Sequence, residues 1–302
     1  MRNENEFYHF ICGKLLGDGC ITKQTGRKPR FQFMHRVEDF EWTNHCYEIL
    51  KCYLPLNPPV YRKVIDMRLK KGFSESYVVQ SKTSSAITSI YEQWYPKGRK
   101  KLPTDFLKQY LNEKALAWWY QDDGHLKIVN NVAQKIILST DGFTKEENTW
   151  LSNYLFSKFH LKFLIDGQNR LVLYDQFQII FFLHLISPWL YESMHRKKLL
   201  EQHFRPIAKR TTIYLPAKFK LQKPTLEIND KLRLLSSLLS EDTGTICSNH
   251  VFDTFKTIRR TDQYLKSYQI ILQDNHRLTL ARIRQQTGLS VSKLVEYCFY
   301  ID

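Results

Sequence analysis

Two stretches, 105 positions apart at their acidic ends, constrain this chain more than anything else in it. The stronger runs Ala115-Leu116-Ala117-Trp118-Trp119-Tyr120-Gln121 and ends in Asp122, Asp123 and Gly124. The looser one runs Ile11-Cys12-Gly13-Lys14-Leu15-Leu16-Gly17 and ends in Asp18 and Gly19. Each reads as a helix that runs into Asp-Gly. Over residues 5–17, Phe7, Phe10, Ile11 and Leu15 recur at helical spacing. Gly13 and Gly17, four apart, lie on one face of that helix. A glycine in a helix interior costs about 1 kcal/mol, so two on one face ask for a reason, and close approach of another helix supplies one.

The segments after each motif follow the same order. After the first, Cys20–Gln24 and Pro29–His35 read as strands around Thr25-Gly26-Arg27; in the second of them Phe31, Phe33 and His35 alternate with Arg30, Gln32 and Met34. A helix over Val37–Cys52 follows, then a hairpin of Tyr61–Leu69 and Ser76–Ser81 turning at Lys70-Lys71-Gly72. The repeat closes with a helix over Ser84–Tyr95, with Thr83 as its cap. After the second motif come strands His125–Val129 and Val132–Thr140, turning at Asn130-Asn131, and a helix over Thr144–Phe159. A hairpin of Lys162–Asp166 and Arg170–Tyr174 and a helix over Gln176–Ile186 complete it. The pattern predicts an α+β fold with an internal repeat: residues 1–98, residues 99–203, and a third region, 204–302. Between the repeats, Pro96–Pro103 is a basic connector, either a solvated loop or a phosphate contact.

Packing the two motif helices side by side brings Asp18 and Asp123 together. Two carboxylates that close repel unless a cation lies between them. Mg²⁺ prefers carboxylate and carbonyl oxygens, so Asp18 and Asp123 are the expected ligands, with the carbonyls of Gly17 and Asp122 beside them. Such an ion can activate water and stabilise the charge of a phosphodiester transition state. The strands beside the helices would form a saddle whose polar face lies along the major groove of DNA. Thr22, Gln24, Arg30, Gln32, Arg62, Arg68, Lys127 and Lys135 are the candidates for that face.

Charge agrees with a polyanionic partner: 45 Lys and Arg against 30 Asp and Glu leave the chain at +15. The six cysteines show no Cys-x-x-Cys spacing, which argues against a zinc site or a disulfide framework and for a reducing compartment. No membrane partner is expected, since the most apolar run, Ile179–Ile186, is far too short to span a bilayer. The N-terminus carries no apolar signal core, and an intracellular protein is expected, in the cytoplasm or in an organelle that encodes it.

Leu116-Ala-Trp-Trp-Tyr-Gln-Asp-Asp-Gly124 followed by His125, and more weakly Ile11–Gly19, resemble the motifs of the LAGLIDADG homing endonucleases in their single-chain, two-repeat form. Tyr95–Pro103 and Ser187–Lys198 resemble that family's connecting segments. The resemblance covers roughly residues 5–203. It implies a pseudo-twofold pair of αββαββα repeats, a monomer that cuts a long specific double-stranded DNA site, and two or three Mg²⁺ ions held by Asp18 and Asp123. It also implies a basic or amide residue near the metals: Lys82 is the first candidate and Gln32 the second. The chain departs from the pattern at Trp118, which stands where the first motif has Gly13, and near Asp175-Gln176, where the second half lacks a counterpart of Lys82. Both departures predict asymmetry, and the second predicts unequal cutting of the two strands. The alternative functions are an RNA maturase acting on intron RNA and a DNA-binding regulator that has lost cutting; retention of both acids favours catalysis.

Residues 196–223 hold nine Lys and Arg against one acid, a linker suited to a DNA backbone through Lys197, Lys198, Lys209 and Arg210. Beyond the linker, Thr211–Pro216 reads as a strand, and Thr225–Leu239 and Ser248–Arg260 as helices. Then Ser267–Leu272 reads as a strand, and Arg277–Gln286 and Val291–Ile301 as helices, with Gly288 as a stop and Ser290 as a cap. This small, mostly helical region resembles a ribbon-helix-helix or helix-turn-helix DNA-binding unit, two of which could pair within one chain; a helical cap on the core is the other reading.

Overall fold

A computed structural model describes residues 4–130, 132–198, 205–239 and 264–300. The expected helix over Ser248–Arg260 lies outside the described residues. Two compact units are present: residues 1–173 with 183–200, and residues 174–182 with 201–302.

The first unit carries the repeat except for residues 174–182, most of its last helix, which belong to the second. Helix α1 (Glu4–Leu16) leads into β1 (Cys20–Thr22), β2 (Arg30–Arg36), α2 (Phe40–Leu50), β3 (Val60–Ile65), β4 (Phe73–Gln80) and α3 (Ser85–Trp94). A short helix absent from the sequence reading, α4 (Thr104–Tyr110), occupies the connection. Then α5 (Glu113–Asp123) is followed by β5 (Gly124–Val129), β6 (Val132–Leu138), α6 (Lys145–Phe159), β7 (Leu164–Ile165), β8 (Leu171–Leu173) and α7 (Gln176–Ile186). The two four-stranded antiparallel sheets have the same order, β1-β2-β4-β3 and β5-β6-β8-β7. Equal topology in two halves of slight sequence identity is what an αββαββα duplication leaves behind.

Local chemistry sets the element ends. Asn112 caps α5 by accepting from the Ala115 amide at 3.0 Å. Thr144 and Glu147 form a capping box on α6. On α3 the cap is Ser84, which accepts from the Ile87 amide, and not Thr83. The alternation read in β2 is observed: Phe31, Phe33 and His35 are buried, while Arg30, Met34 and Arg36 are exposed. The helical reading of Val37–Cys52 resolves into one 3₁₀ turn, Val37–Asp39, followed by α2. The largest fully buried side chains here include Trp42, Trp94, Trp119, Tyr120, Phe31 and Phe33.

In the second unit, β9 (Arg210–Pro216) and β10 (Leu265–Ile271) form a two-stranded antiparallel ribbon with Arg210 opposite Ile271 and Pro216 opposite Leu265. α8 (Pro224–Leu232) follows β9 and continues as a 3₁₀ segment, Arg233–Leu238. Helices Asp274–Thr287 and Val291–Cys298 follow β10; Gly288 between them takes a left-handed φ of 70°, and Ser290 caps the second.

Candidate active site

The two motif helices meet through their glycines. A Cβ on Gly13 would lie 2.5 Å from the Ala115 carbonyl oxygen and 2.7 Å from Trp118 Cβ; one on Gly17 would lie 2.6 Å from Asp122 Cβ. At both closest approaches the first helix supplies the glycine and the second its backbone or the root of a side chain. Trp118 is therefore not a flaw in the motif: the space it needs is left by Gly13. The glycine after each acid is required too. A Cβ on Gly19 would sit 2.5 Å from the Lys14 carbonyl oxygen, and one on Gly124 would overlap the Tyr120 ring and carbonyl.

The tightest structure at these helix ends surrounds Asp122. Its carboxylate is fully buried and accepts from Lys14 Nζ at 2.8 and 3.1 Å, from Trp42 Nε1 at 2.9 Å and, more weakly, from the Asp18 amide at 3.3 Å. His35 Nδ1 lies 2.8 Å from Thr43 Oγ1, whose own proton goes to the Asp39 carbonyl. Nδ1 therefore carries the imidazole hydrogen, and Nε2, 3.0 Å from Lys14 Nζ, accepts from it. Burial, then the Lys14 charge, push the His35 pKa down, consistent with that neutral ring. Burial alone would raise the Asp122 pKa, but the Lys14 charge holds it well below the ordinary carboxylate range. The Lys14 pKa is raised: burial opposes its charge, and Asp122 outweighs burial.

Asp18 and Asp123 differ from Asp122. Burial raises the Asp18 pKa to about 8, with the carboxylates of Asp122 and Asp123 adding to it. Burial and Asp122 raise that of Asp123 to about 6, against the pull of Lys100 and Lys197. The Asp18 side chain is one-third exposed, so water screens part of this effect. Its direction follows first from burial and then from the neighbouring carboxylates, which Lys14 and Lys197 only partly offset. Asp18, His35 and Asp122 offer ligand atoms within 4.8 Å of one another, but Lys14 already supplies the positive charge to Asp122 and His35. Asp123 is not in that cluster, but its charge reaches Asp18, whose own carboxylate stays one-third exposed.

Two lysines from the connectors complete the helix ends. Lys100 Nζ donates to the Gly19 carbonyl at 3.2 Å. Lys197 Nζ donates to the last carbonyls of α5: Tyr120 at 2.9 Å, Gln121, and Asp122 at 3.0 Å. A cation at a helix C-terminus is favoured by the helix dipole. Burial lowers the pKa of both lysines, that of Lys197 to about 8. Arg196 holds the Lys197 segment in place with a two-pronged ion pair to Asp39 at 2.7 and 2.8 Å, and the Tyr120 hydroxyl donates to the Lys197 carbonyl at 3.0 Å.

These contacts correct two expectations. Lys197 is 4% exposed and is not a surface contact for a DNA backbone. The Asp122 carbonyl accepts from a lysine, which is a poor neighbour for a cation. Arg68 stays on the surface, paired with Asp66 at 2.8 and 2.9 Å. Gln32 lies opposite Cys20 and Gln80 in the first sheet and is engaged with both side chains, at 3.4 and 3.1 Å. Lys82 is exposed just beyond β4, its amide donating to the Pro55 carbonyl at 2.7 Å. The strongest cationic influences on Asp18 come from Lys14 and Lys197.

The register gathers several of the expected groove residues. Thr22 opposes Arg30, and Arg62 opposes Ser76 beside Arg36, all on the face of the first sheet that carries Gln32. Lys127 and Lys135 oppose one another on the second sheet. Gln24 is exposed just past β1, Lys198 is half-buried, and Lys209 and Arg210 are exposed in the second unit. Lys14, His35, Trp42 and Lys100 were not singled out by the sequence reading. The signal for the first was present: one lysine in a helix otherwise apolar on that turn, matched by one extra acid in the partner motif.

Comparison with known proteins agrees with this geometry. Residues 8–179 match the model of the LAGLIDADG DNA endonuclease family. The chain is 26% identical over 200 residues to a probable intron-encoded endonuclease of Wickerhamomyces canadensis, covering 63% of this chain and 82% of that one. It is 26% identical over 203 residues to a cytochrome b mRNA maturase of Debaryomyces hansenii, covering 64% and 74%. Among solved structures it is similar to the homing endonuclease I-WcaI bound to its DNA recognition sequence, with a TM-score of 0.58 at 22% identity, over 66% of this chain and 88% of that one. With a match over more than half its length, and with two glycine-packed helices ending in Asp18 and Asp123, the chain belongs to the LAGLIDADG DNA endonuclease family.

Proposed function

We propose that the protein is a site-specific, Mg²⁺-dependent DNA homing endonuclease that acts as a monomer and hydrolyses phosphodiester bonds within a long double-stranded site. It would act inside the cell, in the cytoplasm or in an organelle that encodes it. One observation carries the reading: Asp18, two residues past α1, and Asp123, the last residue of α5, follow two helices in direct contact, and burial and neighbouring carboxylates raise the pKa of each. Asp18 and Asp123 would hold the divalent ions, which on binding activate water and stabilise the charge developing on the phosphate. Lys100 and Lys197, each bonded to backbone carbonyls at the helix ends, would supply positive potential behind the site and hold the two acids in place. Thr22, Arg30, Gln32, Arg62, Lys127 and Lys135 on the exposed sheet faces would meet the groove, phosphate contacts setting position and polar side chains reading bases.

The test is cleavage of a duplex carrying the intron-free form of the host gene, with and without Mg²⁺. Cutting that falls at least about a hundredfold in Asp18→Asn and in Asp123→Asn supports the reading. Specific binding without cutting by the unaltered protein overturns it. Likeness to a maturase favours a second reading, assistance to the splicing of intron RNA; it predicts that the protein accelerates splicing of that intron and that the Asp→Asn changes leave this intact.

A further inference from the structure

The second unit contains a surface that the proposed endonuclease core does not need. The β9–β10 register assigns its side chains to two faces. Ile213 and Tyr268 oppose one another and are buried, as are Leu215 and Ile270 on the same face. The other face pairs Tyr214 with Ser267, Thr212 with Gln269 and Arg210 with Ile271, and all six are exposed. Five of the six carry hydrogen-bonding groups. The support beneath is interlocked. α8, which follows β9, packs against β10, whereas helix Val291–Cys298, which follows β10, packs against β9. Buried Asn229 ties the end of the ribbon to α8, donating to the Thr225 and Ile271 carbonyls at 2.6 and 2.9 Å and accepting from the Gln273 amide at 2.9 Å. The Ser292 hydroxyl accepts from the Tyr214 amide at 3.0 Å.

Charge says what fits this face. Residues 205–239 and 264–300 hold thirteen lysines and arginines against four acids. Lys209 and Lys223 line one groove at the end of the ribbon, beside Ile271. A two-stranded ribbon is narrow enough to enter the DNA major groove, where amide, hydroxyl and guanidinium groups distinguish base pairs by their donor and acceptor patterns. We propose that the β9–β10 ribbon is a second, sequence-reading DNA element, with Arg210, Thr212, Tyr214, Ser267 and Gln269 facing base edges and Lys209 and Lys223 placed for flanking phosphates. It rests on the proposed function only in taking duplex DNA as the protein's ligand, and it makes the target site longer than the two sheets of the core can read.

The test uses the full chain. Bound sequences are selected from a randomised duplex library in chelator, where no cutting occurs, and footprinted, for the unaltered protein and for a Thr212→Ala/Tyr214→Ala/Gln269→Ala variant. All three positions are on the surface, and a matching thermal melt confirms that the variant folds. The expected result is a site with two blocks of preferred bases, one of which the variant loses. Its footprint shortens by roughly half a helical turn, about five base pairs, and its affinity falls at least about tenfold. Gln269→Glu, which alters no shape, should shift the preferred base in that block alone. A triple variant that selects the same bases over the same length with unchanged affinity overturns the proposal. So does a ribbon whose substitutions weaken only RNA or protein binding. Failure of the unaltered protein to cut in Mg²⁺, with the ribbon-dependent block intact, would count against the endonuclease reading and leave this one standing.

Discussion

Lys14 and Asp122 are both fully buried, across the contact between the two motif helices. Removing one partner of such a pair leaves a charge without water or counter-ion, which costs roughly 3–5 kcal/mol. Asp122→Asn should lower stability by about that amount in urea unfolding, and Lys14→Met likewise. Because both changes break one interaction, the Lys14→Met/Asp122→Asn double variant should lose clearly less than the two losses added; strict additivity would show the pair to be uncoupled. Asp18 supplies the pH test. An acid whose folded pKa is raised binds its proton more tightly when folded, so its penalty is absent below about pH 4 and grows as pH rises toward 8. Without divalent ions, Asp18→Asn should therefore melt higher than the unaltered protein, by a margin that widens from pH 4 to pH 8. Added Mg²⁺ should close the gap by stabilising the unaltered protein; a margin constant with pH would contradict the raised pKa.

At the scale of elements, the helix contact is set by backbone more than by side chains. A methyl on Gly13 meets a carbonyl oxygen of α5, which has no rotamer to change. Gly13→Ala should therefore cost about 1–3 kcal/mol of stability through overpacking and lower cutting activity as the helix ends part. Trp118→Ala should not rescue it, because the Ala115 carbonyl remains in place; full rescue would show the clash to be with Trp118 alone. Most elements were legible from the chain. The spacing in α1, the period-two alternation in β2 and the extent of α7 all follow from local pattern, as do Gly288 and Ser290 between the last two helices. Local pattern did not show α4, in a connector rich in charge and proline, nor that Ser84 rather than Thr83 caps α3. Both depend on small backbone choices made by packing.

At the scale of the whole molecule, equal sheet order in the two halves does not make the halves equal. Asp122 stands opposite Gly17, Trp118 opposite Gly13, and Lys14 and His35 belong to the first repeat alone. Each scissile phosphate should thus meet a different electrostatic environment. A strand-labelled digest should show one strand cut several-fold faster, with nicked duplex accumulating before the double-strand break; equal rates throughout would mean that the asymmetry stops short of the chemistry. The sequence by itself determined the two Asp-Gly helix ends, the repeated order of elements and the basic character of the chain, because these rest on periodicity and composition, which are local or additive. Only the tertiary structure decided that Asp122 is neutralised by Lys14 while burial raises the pKa of Asp18 and Asp123, and that Lys197 turns inward to a helix end instead of outward. The physical reason is that a charge is worth little or much according to the water it keeps and the partner it meets, and both are set by residues about a hundred positions away.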